Sequence, residues 1–240
     1  MIALFDLDGT ILPWDTQKLF CHHVLRKHPR RRLFLLLFLP MLALAPILGS
    51  EGLKRVFLTF LWRLQESEVD QLACDFARQW LPSRAWPEML EKIAWHRQRG
   101  DLTVLISASP EPYVREIGRI LGFDHALGTV IDFPTAGLPL FPDLVNNKGG
   151  NKVLRLRELL PSSYFNEDGE LRESHGYSDS SADLPMLALC QSVTLVNPDK
   201  KLAALGLAHG WDELRLPRPW KSPLHRLVKR ILAISGLGSP

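Results

Sequence analysis

The chain opens with an apolar run, Ile2-Ala3-Leu4-Phe5, and then sets two carboxylates two residues apart, Asp6 and Asp8, ahead of Gly9-Thr10. A short apolar run closed by polar and small residues predicts a buried strand. Side chains alternate along a strand, so Asp6 and Asp8 share one face while Leu7 points opposite. Like charges held that close repel, and a fold tolerates them mainly where a cation or a proton is shared. The chain must therefore bury this strand and build something around its carboxyl end that answers the charge.

Further strands are predicted over 101–107, 173–179 and 192–197, each an apolar or β-branched run closed by small or polar residues. Helical patterns intervene, ending at Gly100, at Gly122 and before Pro161, with Pro110 and Pro185 in first-turn positions. Strands alternating with helices imply an α/β fold with a Rossmann-like parallel sheet, whose ligands bind at the carboxyl ends of the strands. Residues 13–85 interrupt the alternation with helical material only and predict an inserted cap. The expected division is a core of 1–12 and 86–205, a cap of 13–85, and a C-terminal extension of 206–240. With 240 residues, 46% hydrophobic and 23% charged, disorder is excluded. Cys21, Cys74 and Cys190 are scattered without metal-ligand spacing, which predicts reduced thiols in a cytosolic compartment. Acid residues arrive at position 6 with no basic segment before them, unlike a secretory signal.

The net charge of +3 is unevenly spread. Residues 26–32 carry Arg26, Lys27, Arg30, Arg31 and Arg32 with no acid, and the chain from Pro217 onward carries Arg218, Lys221, Arg226, Lys229 and Arg230, again with none. Without those ten the remainder would carry −7. Two basic segments on an acidic body predict an anionic surface as partner. Residues 33–50 follow the first segment without a charge and are interrupted by Pro40 and Pro46. A helix covering a globular core usually keeps a polar stripe, and this run has none, which favours membrane contact over a buried helix. A single crossing is excluded on topology, because it would part Asp6 from the motifs that follow. The run is expected to dip in and return at the prolines, or to lie in the interface, giving a monotopic protein. In the tail, Leu224, Leu227, Val228 and Ile231 fall on one helical face and Arg226, Lys229 and Arg230 on the other, a basic amphipathic helix suited to anionic headgroups. A docked C-terminal helix is the other reading of that pattern. Nothing resembles a nucleic-acid module.

Three more polar clusters are predicted at strand ends or helix starts: Ser107-Ala108-Ser109, Lys152 within NKGGNKVLRL, and Gly176 to Asp183 (GYSDSSAD). Together with Asp6-Leu7-Asp8-Gly9-Thr10 they resemble the four motifs of the haloacid-dehalogenase-like (HAD) phosphohydrolases, over residues 6–183. At finer level the sequence resembles the subfamily with a helical cap between the first two motifs (subfamily IB), and within it the bacterial phosphatidylglycerophosphatases. The features that carry this are the basic cluster before a Pro-interrupted apolar run, Gly149 with Lys152, Val153 and Leu156, and the stretch Gly176 to Leu187. Lys148 is a departure, a second lysine that competes with Lys152 for the phosphate role.

The resemblance implies a Mg²⁺ site formed by Asp6, the main-chain carbonyl of Asp8, and Asp179, with Asp183 holding a coordinated water or supporting the shell. It implies that Asp6 is the nucleophile, forming an aspartyl-phosphate, and that Asp8 is the general acid and then base. Thr10, Ser107, Ala108 and Lys152 would bind the phosphoryl group. The implied substrate is phosphatidylglycerophosphate, hydrolysed to phosphatidylglycerol at the cytoplasmic face of the bacterial inner membrane. A phosphatase for a small soluble ester such as phosphoserine is the alternative. A non-catalytic membrane adaptor is the third, and the intact acids at positions 6 and 8 argue against it.

Overall fold

The computed structural model describes residues 1–81 and 83–237. Its centre is a seven-stranded sheet in the order β4-β3-β2-β1-β5-β6-β7. The strands are β1 Ile2–Phe5, β2 Leu102–Pro110, β3 His125–Ile131, β4 Leu144–Val145, β5 Ser174–Ser178, β6 Ser192–Val196 and β7 Asp212–Leu214. All neighbouring pairs are parallel except β3 and β4, which are antiparallel. The helices are α1 Thr16–Lys27, α2 Leu35–Met41, α3 Ala45–Phe57, α4 Glu66–Trp80, α5 Pro87–Gln98, α6 Glu111–Leu121, α7 Gly150–Leu159, α8 Leu184–Leu187, α9 Lys200–Ala208 and α10 Pro223–Ser235.

The alternation of β1 builds the core. Ala3 and Phe5 face α1, α4, α5 and α6, in a cluster that holds Phe20, Phe76, Ile93 and Tyr113. Ile2 and Leu4 face the other way, onto Leu156 of α7, Met186 of α8 and Leu202 of α9. With every one of these β1 side chains fully buried, each large one contributes about 1.5–3 kcal/mol. Since β1 lies between β2 and β5, its carboxyl end opens at the middle of the sheet, and Asp6 continues the parity of Ile2 and Leu4 to meet Lys152 of α7.

The structure differs from the sequence reading at several points. The strand expected over 101–107 continues through Ser109 to Pro110, with its register against β3 shifting between Ile106 and Pro110. Pro110 is accordingly the N-cap of α6, and Pro112 occupies the first turn. The sheet does not end by residue 205: β7 pairs with β6, so the core runs on to Leu214. Strands β3, β4 and β7 were not predicted, because β3 begins on exposed His125, β4 has two residues, and β7 is Asp212-Glu213-Leu214 on an edge. The expected extension ends past the described residues, at 240.

Between β1 and α5 every named element is helical. The apolar run is not a core helix. Of residues 33–50 only Phe34 and Phe38 are buried, whereas Leu33, Leu36 and Ile47 are exposed at 69%, 75% and 83%. Nor do the prolines break it: Pro40 lies inside α2 and Pro46 in the first turn of α3, and the non-helical residue is Gly49, with φ 64° and ψ −173°. The basic cluster before the run is partly committed inside the protein. Lys27 pairs with Asp75, Arg31 donates to the carbonyls of Phe60 and Trp62, and Arg32 donates to those of Ser235 and Gly236. Helix α10 docks its last turn on α1, where the Leu232 carbonyl meets the ring of His22 and Ala233 is buried. Its predicted apolar face stays uncovered, with Leu224 exposed at 69% and Leu227, Val228 and Ile231 also exposed.

Candidate active site

The turn after β1 is made by glycine. Gly9 adopts φ 85°, and the Leu7 carbonyl accepts from the N–H groups of Thr10, Ile11 and Leu12. A Cβ on Gly9 would lie 2.0 Å from Oδ2 of Asp179, so the missing side chain is the space in which the Asp179 carboxylate sits against the turn. This brings the end of β5 onto the end of β1.

Asp6 is buried and held at both oxygens. Lys152 Nζ lies 2.7 Å from Oδ1, and Thr10 Oγ1 donates to Oδ2 at 3.2 Å. Lys152 enters from the first turn of α7, behind Gly149 at φ 60°, and is itself buried. Its ammonium also meets Asp183 Oδ1 at 2.8 Å, while Ser178 Oγ donates to Asp183 Oδ2 at 2.7 Å. Both Asp183 oxygens are therefore engaged by protein, which gives this side chain a supporting place rather than a free ligating edge. Burial works against the Lys152 charge, but Asp6 and Asp183 outweigh it and raise its pKa. Lys148 lines the cavity above and makes no contact of this kind.

Asp8 turns toward the cap. Its Oδ1 accepts the Thr16 N–H at 2.5 Å, one of the donors that the start of α1 leaves without a partner, and its Oδ2 accepts from Ser109 Oγ at 2.6 Å. Burial, then repulsion from Asp15, raises the Asp8 pKa, which favours a protonated carboxyl. Ser107 is buried, and its Oγ accepts the Ser109 N–H at 3.0 Å, leaving its own O–H to donate. Ala108 lines the cavity with its carbonyl turned to Lys54 Nζ at 2.5 Å. Lys54, from the last turn of α3, also reaches Asn146 Oδ1 at 2.6 Å and Thr129 Oγ1 at 3.3 Å. Burial brings it down to about 8. Thr16, Ser109 and Lys54 were not singled out from sequence. The first acts through its backbone, and the second stood in a noted cluster whose strand was ended too early. A lysine that crosses to two other strands leaves no local pattern.

Above these groups lies a cavity of about 390 Å³. Asp8, Asp15 and Asp179 line it together with Lys54, Lys148, Arg218, Arg226 and Arg230. Asp179 makes no hydrogen bond among the described residues. Burial, then repulsion from Asp6, Asp183 and Asp8, pushes its carboxyl up to about 8. Burial likewise pushes Asp6 to about 7, against the pull of Lys152. These are acids short of positive charge. Among the described residues no group of three or more His, Cys, Asp or Glu side chains is assembled as a metal centre. Mg²⁺ asks for less, being held by one or two carboxylates with water in its other positions. A half-buried carboxylate with no hydrogen-bond partner among the described residues, beside a buried second one and in a pocket shaped by an absent Cβ, fits such an ion, with Asp6, Asp179 and the main chain of Asp8 as the residues that would hold it. When bound, it would neutralise the carboxylates and the phosphoryl oxygens.

A central strand that ends on paired aspartates, with a serine-bearing strand, a buried lysine and an acid pair closing around them, defines an α/β enzyme that handles phosphoryl groups. The model of the haloacid dehalogenase-like hydrolases matches residues 3–188, and the chain belongs to that family. Within it this is a HAD-type phosphatase. It is 27% identical to the phosphoserine phosphatase SerB1 of Mycobacterium tuberculosis over 219 residues, which cover 88% of this chain and 69% of that one. In fold it is similar to a protein of unknown function from Bordetella pertussis, with a TM-score of 0.74 at 24% identity over 89% of this chain and 97% of the other. It is also similar to a phosphoserine phosphatase captured as a phospho-aspartyl intermediate analogue, with a TM-score of 0.56 at 17% identity over 95% and 97%.

Proposed function

We propose that this protein is a Mg²⁺-dependent phosphomonoesterase that works through an aspartyl-phosphate on Asp6, and that its substrate is a lipid, phosphatidylglycerophosphate. Asp6, once ionised, attacks phosphorus, and the bond to the leaving alkoxide breaks as Asp8 gives that oxygen its proton. Asp8, now a carboxylate, takes a proton from the water that attacks the aspartyl-phosphate, releasing inorganic phosphate and restoring both acids. Its contacts to Thr16 and Ser109 fix the carboxyl for both transfers. Ser107 and the main-chain N–H of Ala108 are the donors suited to the phosphoryl oxygens, while Thr10 and Lys152 fix the two oxygens of Asp6 for attack in line.

The observation that carries the lipid assignment is the exposure of residues 33–50 in the inserted segment whose next helix turns deliver Lys54 to the cavity. Strand β1 precedes this run and β2 and β5 follow it in one sheet, so the run enters and leaves on a single side of a bilayer. It is the membrane-contacting part of the cap, and the exposed face of α10 is a second contact. On this reading the enzyme is a monotopic protein of the cytoplasmic face of the inner membrane, in the manner of phosphatidylglycerophosphatase C. Phosphate release from phosphatidylglycerophosphate in detergent micelles with Mg²⁺, set against O-phosphoserine, tests it. No release from the lipid alongside good turnover of soluble esters rejects the lipid assignment. The likeness to SerB1 favours, as second reading, a phosphatase of a small soluble ester such as phosphoserine.

A further inference from the structure

The family model ends at residue 188, and beyond the last strand, β7, the C-terminal segment closes one side of the catalytic cavity. Three of its guanidinium groups, Arg218, Arg226 and Arg230, line the cavity that also contains Asp8 and Asp179. Among the described residues none of the three has a carboxylate partner. Arg218 donates to the Asn197 carbonyl at 3.2 Å. Trp220 lies between two of them, its ring 4.9 Å from Arg226 and 5.9 Å from Arg218. The three stand exposed at the rim, close enough to one another to repel. Burial and repulsion from Arg230 and Arg218 lower the Arg226 pKa, and Asp179 is close enough to oppose the shift. A second hollow of about 490 Å³ shares the same three arginines and Trp220 and reaches Leu227 on the uncovered apolar face of α10. From the catalytic acids outward, the order is thus acids, guanidiniums, apolar surface.

We infer that Arg218, Arg226 and Arg230 form a second anion subsite, which takes a phosphodiester carried one glycerol unit away from the phosphomonoester under attack. Guanidinium groups present paired N–H donors that match the two free oxygens of a phosphodiester, and the Trp220 ring limits their freedom. The inference deepens the phosphomonoesterase reading, on which it rests, by assigning substrate selection to the extension. The same chemistry belongs to a lipid headgroup and to its deacylated, soluble counterpart.

The experiment compares wild type with Arg226→Gln/Arg230→Gln on two substrate pairs, each one member with the diester and one without. The soluble pair is glycerophosphoglycerophosphate and glycerol 3-phosphate. The lipid pair, in mixed micelles, is phosphatidylglycerophosphate and phosphatidic acid. In both pairs the ratio of kcat/KM, diester-bearing over diester-lacking, is expected to fall about tenfold or more, chiefly through KM, with partial recovery in Arg226→Lys/Arg230→Lys. An unchanged ratio in the soluble pair overturns the subsite, and a fall confined to the lipid pair also does so, because it assigns the arginines to the membrane surface. Calorimetric binding of glycerophosphoglycerol, which keeps the diester and lacks the monoester, needs no turnover. Its Kd is expected to weaken about tenfold in the glutamine variant. An equal Kd sinks the subsite even in an active phosphatase, and a weakened Kd in a protein that hydrolyses no ester sustains the subsite while the phosphomonoesterase reading fails.

Discussion

Removing divalent metal should make this protein lose stability as pH rises, the reverse of what paired carboxylates ordinarily do. Asp6 is pushed to about 7 and Asp179 to about 8, whereas both ionise near 3.8 in an unfolded chain. Above pH 4 the folded state therefore binds more protons than the unfolded one, and stability falls as the pH climbs through the folded values. Histidines work in the opposite sense: burial holds His23 and His175 down to about 4 and lowers His22 and His96, and between pH 6.5, where an unfolded histidine is half protonated, and pH 8 each returns up to about 0.4 kcal/mol. Each carboxyl that stays protonated only when folded removes about 1.4 kcal/mol per pH unit. Between pH 6.5 and 8 Asp179 supplies most of the loss and Asp6 roughly half as much. Lys54, brought down to about 8, returns a few tenths of a kcal/mol because it sheds its proton in the folded state first. With the histidine return included, the net change is a loss of about 1 kcal/mol, or about 2–4 °C in Tm for a chain of this size. Thermal unfolding in chelator at several pH values across the window, repeated with Mg²⁺, measures it. Saturating metal should recover about 2–3 kcal/mol at the upper end. A metal-free Tm that holds level or climbs over the window would refute the picture of unneutralised acids.

Other substitutions probe the site from different sides. Asp6→Asn should lower kcat for any phosphomonoester by about a thousandfold or more while the Tm holds or rises, since a buried charge is removed; steady-state kinetics and calorimetry on the same sample decide it. Lys152→Met leaves Asp6 and Asp183 facing each other without their cation and should cost about 3 kcal/mol in urea unfolding, with part of the loss recovered by adding Asp183→Asn. Gly9→Ala drives a methyl group into the Asp179 carboxylate at a backbone angle only glycine adopts easily, so activity should fall more than tenfold with Mg²⁺ affinity weakened in parallel by titration. Replacing Leu36 and Leu39 by Glu should abolish co-sedimentation with anionic vesicles yet spare hydrolysis of p-nitrophenyl phosphate, and unaltered sedimentation would remove the membrane from the account.

What could be read from the sequence was what repeats locally. Apolar runs of four or five residues gave away β1, β2 and β6, and the polar residues at their ends stand together at the centre of the sheet, with Lys152 reaching them from α7. Edge strands escaped because exposure removes the apolar pattern, as in Asp212-Glu213-Leu214. The prolines suggest a kink in the apolar run, yet Pro46 sits in the first turn of α3, where proline is tolerated, Pro40 lies near the end of α2, and Gly49 with its left-handed angle bears the break. Long-range partners left the faintest trace. Lys54 is 54 residues from the Ala108 carbonyl and 92 from Asn146, and nothing around it in sequence marks a buried cation. Arg226 and Arg230 were legible as charges on a helical face, but only the fold turns them onto the cavity.

Helix α3 ties two environments together. Ile47, near its beginning, stands out in solvent, and Lys54, two turns further on, anchors strands β2 and β3 at the mouth of the cavity. An element held at its inner end passes on displacement: if lipid tugged or tilted the outer end, part of the strain would arrive at Ala108, beside the proposed phosphate position. Adsorption to a bilayer would then tune turnover mechanically as well as by supplying substrate, with Gly49 as the joint that sets how much of the pull gets through.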